Sequence, residues 1–140
     1  MSLGFSTALR NFMLDSGLQT AFDTDGILEL RTGTRPGSAD TAPVGTVIVA
    51  ITLTSNVWQA AASGAIAKDA GAWVDSSADA TGVPTWFRLR RTGDAGTTNT
   101  TDRRMDGDVG EGSGDLSLNN TDINAGQEVE VTQFTVTQPA

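Results

Sequence analysis

TWFRLRR, residues 85–91, is the stretch whose reading decides the fold. With a period of two it places Thr85, Phe87, Leu89 and Arg91 on one face and Trp86, Arg88 and Arg90 on the other. Gly82 and Pro84 break the chain just before it, so the segment predicts a strand launched from a turn. The first face is a core face that ends in a charge. The second carries one tryptophan and two arginines, the residue types most enriched among binding hot spots. Two readings of that second face are open. It presents a basic surface to an acidic partner, joined by Arg103 and Arg104 from a neighbouring strand; or Trp86 covers a secondary core and the arginines pair with the chain's own acids, Glu128 and Glu130 among them. Trp86, Arg88, Arg90, Arg103 and Arg104 are the candidate partner-binding residues.

Working outward, short apolar runs rich in Val, Ile and Thr alternate with Asn-Asn, Asp-Gly and Thr-Gly turn pairs, which predicts an all-β protein. At 140 residues the chain fits one domain. ILELRT (27–32) reads as a strand with Leu28 and Leu30 opposite Glu29 and Arg31. TVIVAITLT (46–54) is apolar on both faces and predicts a central strand whose second face lies under a helix. AAASGAIAKDAGAWV (60–74), punctuated by Gly64 and Gly71, predicts short strands. Asp106-Gly107 predicts a tight hairpin turn, and DLSLNNTDI (115–123) a strand. In the last strand, QEVEVTQFTVTQ (127–138), Val129 and Val131 are out of phase with Phe134 and Val136, so a bulge near Thr132 and Gln133 is expected.

At the N-terminus, Phe5, Ala8, Leu9, Phe12 and Met13 recur at helical spacing between a capping Ser6 and a terminating Gly17. They predict one helix over about 6 to 16, laid by its apolar face onto the sheet. Seven or eight strands and one short helix make a β-sandwich, with a jelly-roll-like topology as one way to join them. The polar segments 33–45 and 93–102 read as loops; 33–45 is either a mobile excursion or an arm that orders on a partner.

Composition narrows the function. The net charge of −8 opposes binding to phosphate backbones, so nucleic acid is not expected as a partner. No run approaches a membrane span or a signal peptide, and a soluble cytoplasmic product is expected. Lys68 is the single lysine, and the remaining cations are arginines, the cation preferred at protein interfaces. The chain has no His, Cys or Tyr. Ser76 and Ser77, beside Asp75 and Asp79, therefore lack an evident base, and no enzymatic activity is expected. DTDG (23–26) and DGDVGEGSGD (106–115) begin like calcium loops without completing one. Turn chemistry accounts for both, and no metal or cofactor is expected.

Taken in order, MSLGFSTALRNFMLD, TGTRPG, SSADATGVPTWFRLRR, MDGDVG and DLSLNN resemble the capsid cement, or decoration, proteins of tailed bacteriophages. The resemblance implies a β-rich, jelly-roll-like clip on the outside of an icosahedral head, made in the host cytoplasm. Such a clip associates with itself and bridges neighbouring major capsid proteins, without catalysis. It supplies no motif of functional residues, and loop 93–102 is longer than the compact turn of such proteins. The helix, the 33–45 segment and the C-terminal TVTQPA are candidate contacts. The competing readings are a tail or neck protein with a similar sandwich, and a carbohydrate-binding sandwich stacking sugars on Trp58, Trp73 and Trp86.

Overall fold

A computed structural model describes residues 3–54, 57–70 and 73–139. Gly71 and Ala140, which figure in the expectations above, lie outside the described residues. The protein is an all-β, sandwich-like fold with one short helical run at its N-terminus.

The helical run begins where Ser6 predicts. Its Oγ accepts the Leu9 N–H at 3.2 Å and caps α1 (Thr7–Met13). Gly17 does not end it. The chain continues through a π-helical segment, Leu14–Gln19, into α2 (Thr20–Phe22), and Gly17 has no left-handed φ. Extending the helix changes which stripe is buried. Leu14 and Phe22 enter the core, and Leu18 and Ala21 pack against it. No residue of α1 is buried, so the stripe predicted to lie on the sheet faces away from it.

Eight strands follow: β1 (Gly26–Arg31), β2 (Val47–Thr52), β3 (Ala65–Ala67), β4 (Val74–Asp75), β5 (Trp86–Arg91), β6 (Met105–Glu111), β7 (Leu116–Leu118) and β8 (Val129–Thr137). They form one mixed sheet in the order β2-β1-β5-β6-β7-β8-β3, with β4 also paired to β8. The sheet curls until its two halves face each other. Phe87 of β5 meets Phe134 of β8 edge to face at 5.3 Å, and Trp58 and Trp73 complete the aromatic centre of the core.

Two expectations are corrected here. β2 stands at the end of the sheet rather than in its middle. Its second face is apolar because Ile48 lies beneath the 78–82 loop, not the helix: Asp79 N–H donates to the Ile48 carbonyl at 2.8 Å, and Gly82 sits against the Ile48 side chain. Asp106-Gly107 is strand interior in β6, not a turn. A Cβ on Gly107 would stand 2.5 Å from the Phe87 ring, so glycine serves close packing at this position. The chain doubles back instead at 112–115, where Gly112 and Gly114 have positive φ and Gly114 bridges Val109 antiparallel, and then turns again so that β7 runs parallel to β6.

The irregularity in β8 is where the alternation requires it. Ser117 pairs with Gln133 and Leu118 with Val131, which leaves Thr132 as the extra residue of a bulge. Val129, Val131 and Phe134 are all buried as a result.

Candidate functional site

On β5 the period of two holds, but the second face is enclosed. Trp86 and Arg88 are each only 1% exposed. Antiparallel pairing sets Glu29 of β1 opposite Arg88, and Asp106 of β6 opposite Arg88 on the other side. Arg88 donates from Nε and Nη2 to the two Asp106 oxygens at 2.8 Å and from Nη1 to the Thr41 carbonyl at 2.8 Å. Glu29 accepts from Arg31 at 2.9 Å and from Arg90 at 2.8 Å. The guanidinium groups of Arg31 and Arg88 stand over the Trp86 ring, 6.0 and 5.6 Å from its centre, and Trp86 donates Nε1–H to the Thr32 carbonyl.

Arg104 extends the cluster. It grips Asp94 through Nε at 2.5 Å and Nη2 at 2.6 Å, and also reaches Asp102 and the Thr97, Ala39 and Asp40 carbonyls. The hydrogen bond from Arg104 holds the Asp94 carboxyl below the usual carboxylate range; the Gly96 N–H adds to this, and burial opposes it. The same pairing pushes the Arg104 guanidinium up. Four arginines, 31, 88, 90 and 104, thus face four carboxylates, Glu29, Asp94, Asp102 and Asp106.

A polar cleft of about 370 Å³ opens over this face, lined by Glu29, Arg31, Arg88, Arg90 and Asp94 among others. Each guanidinium lining it already donates to protein oxygens. The cluster's chemistry is therefore internal. It ties the 33–45 and 93–102 loops to the sheet through the Ala39, Asp40, Thr41 and Thr97 carbonyls. Of the five candidate partner-binding residues, Trp86, Arg88 and Arg104 are built into this interior, and Arg90 is turned onto Glu29. The acids that pair with them are not Glu128 and Glu130. Register explains it: β5 lies between β1 and β6, whereas Glu130 on β8 pairs with β4. Arg103 alone among the five is exposed, and no carboxylate pairs with it among the described residues.

The serine stretch is a turn. Asp75 Oδ1 accepts the Ser77 N–H at 2.9 Å, and the Ala78 N–H goes to the Gln127 carbonyl. No group of three or more metal-ligating side chains occurs among the described residues. Trp58, Trp73 and Trp86 are at most 5% exposed, so none offers a platform for a sugar.

The helix is a candidate contact from the sequence, but the apolar stripe expected to lie on the sheet is turned outward. Its polar side is the docked one: Asn11 Oδ1 accepts the Gly64 N–H at 2.8 Å, Asp15 Oδ1 accepts the Ala61 N–H at 2.8 Å, and Arg10 Nη1 donates to the Gln138 carbonyl at 3.2 Å. Leu9, Phe12 and Met13, one turn apart, are 45%, 65% and 38% exposed. Beside them opens a groove of about 470 Å³ whose lining includes Met13, Leu18, Ala21, Met105, Val136 and Arg103. The signal was present as a second helical stripe, Leu14, Leu18, Ala21 and Phe22, that becomes visible once the helix is carried past Gly17. No protein-family model matches this chain, and no curated protein or solved structure matches it either.

Proposed function

We propose that the chain is a non-catalytic structural protein of a phage virion that binds the outside of an icosahedral head and cements neighbouring major capsid proteins. The observation that carries this reading is the exposed apolar ridge of Leu9, Phe12 and Met13 on a helix fastened by hydrogen bonds from its polar side. Large apolar side chains gathered in one exposed patch mark an interaction surface. A cement protein draws its hold on the shell from area and repetition rather than from one pocket, and the resemblance set out above points the same way. The arginine cluster supports the role as a rigid frame for such a surface.

The test is reconstitution. Purified protein is added to heads stripped of it, and occupancy and resistance to heat or osmotic shock are measured. The expected outcome is saturable rebinding with restored resistance, at copy numbers in the hundreds for a shell component. Failure to rebind would end this reading.

A further inference from the structure

We propose that the Leu9–Phe12–Met13 ridge and the groove beside it are the face that grips the shell, and that its occupant is an apolar, carboxylate-bearing segment of the major capsid protein. This rests on the cementing role above and identifies the surface that performs it.

The helical run buries one apolar stripe, Leu14 and Phe22, but leaves a second one, on α1, uncovered. A surface helix ordinarily buries its apolar stripe and shows its polar one to water. Here Arg10, Asn11 and Asp15 spend their hydrogen bonds on the 61–64 turn and the C-terminal Gln138, which holds Phe12 outward at 65% exposure. Leu9, Phe12 and Met13 stand at i, i+3 and i+4, the spacing of anchors by which a helix seats against an apolar partner. Met13 also lines the groove, so ridge and groove are one continuous surface.

Charge selects the occupant. The arginines of the buried cluster and Arg35 and Arg91 have carboxylate partners within the chain. Arg103, on the groove wall, is exposed and has none among the described residues, while the Asp102 carboxylate on the same wall is engaged by Arg104. An apolar segment with an acidic residue at its edge satisfies both features.

The experiment measures binding of the purified chain to stripped heads by co-sedimentation, for wild type, Phe12→Ser, Arg103→Glu and Val83→Ser. Val83 is 48% exposed and lies outside the groove, so it controls for loss of any exposed apolar group. Phe12 and Arg103 are exposed, and circular dichroism is expected to be unchanged in all variants. Wild type and Val83→Ser should bind alike, while Phe12→Ser and Arg103→Glu should each weaken binding at least tenfold. Equal binding by all four overturns the assignment of this face and leaves the cementing role standing. No binding by wild type overturns both. A dimer of the free protein that Phe12→Ser dissociates in sedimentation velocity, or flotation of wild type with phosphatidylcholine–phosphatidylglycerol vesicles that Phe12→Ser abolishes, would give the face another occupant and also overturn the proposal.

Discussion

The Asp94–Arg104 pair shows how a single residue sets the acid response of a loop. Arg104 donates two hydrogen bonds to Asp94, and the Gly96 N–H donates a third at 2.7 Å. The folded-state pKa of Asp94 therefore lies below its unfolded value near 3.8. A carboxyl whose pKa is depressed by folding contributes stability above the unfolded pKa and loses it as pH falls through the folded one. Arg104, whose pKa is raised, keeps its charge throughout that range. Asp94→Asn should thus be less stable than wild type at neutral pH, and the gap should close as the pH is taken from about 7 to about 2. Urea unfolding across that range checks it. A gap independent of pH would mean that the carboxylate's charge is not what stabilises the loop.

At the scale of elements, two glycine and bulge positions separate what local pattern predicts from what packing requires. Gly17 reads from sequence as a helix stop, yet it lies inside the π-helical segment at negative φ, with open space where a Cβ would project. Gly17→Ala should therefore stabilise the protein by about 0.5–1 kcal/mol; a true C-terminal cap at positive φ would be destabilised by the same change. In β8, deletion of Thr132 removes the bulge and brings Val129, Val131, Phe134 and Val136 into one phase, so the core face survives. Deletion of Glu130 instead turns one of two fully buried valines to solvent, at a cost of about 2 kcal/mol or more. Thermal melting of the two deletions should rank them in that order. The eight strands were largely legible because alternation is a local property of each segment. The end of the helix was not, because the π-turn that carries it past Gly17 is held by contacts with residues far along the chain.

For the whole molecule, the arginine cluster joins three strands and two loops into one body. Arg88 is the hinge of that arrangement, bonded to Asp106 on β6 and to Thr41 in the 33–45 loop. Arg88→Met leaves Asp106, whose side chain is 6% exposed, as an uncompensated buried charge, and should cost about 3 kcal/mol. Replacing Asp106 by leucine in the same chain should recover much of that loss, because the isolated charge is then gone. Amides of 33–45 should exchange faster in the single variant, as the Thr41 tie is lost. Urea unfolding and hydrogen exchange together check both statements. The candidate interface moves accordingly, from a stripe on β5 whose Trp86 and Arg88 are buried to the helix face that nothing among the described residues covers.

The sequence by itself determined the strand content, the alternation on β5 and β8, the bulge at Thr132 and the turn character of Ser76 and Ser77, because each follows from spacing and turn chemistry within a few residues. It also determined that an acidic chain holds a local excess of arginine. Only the tertiary structure decided which acids those arginines meet, that Gly107 is strand rather than turn, and that Leu9, Phe12 and Met13 face outward. The reason is physical. Alternation says which side chains share a face, but whether a face is open or closed depends on which strands adjoin it and which loops fold over it, and those neighbours come from distant parts of the chain.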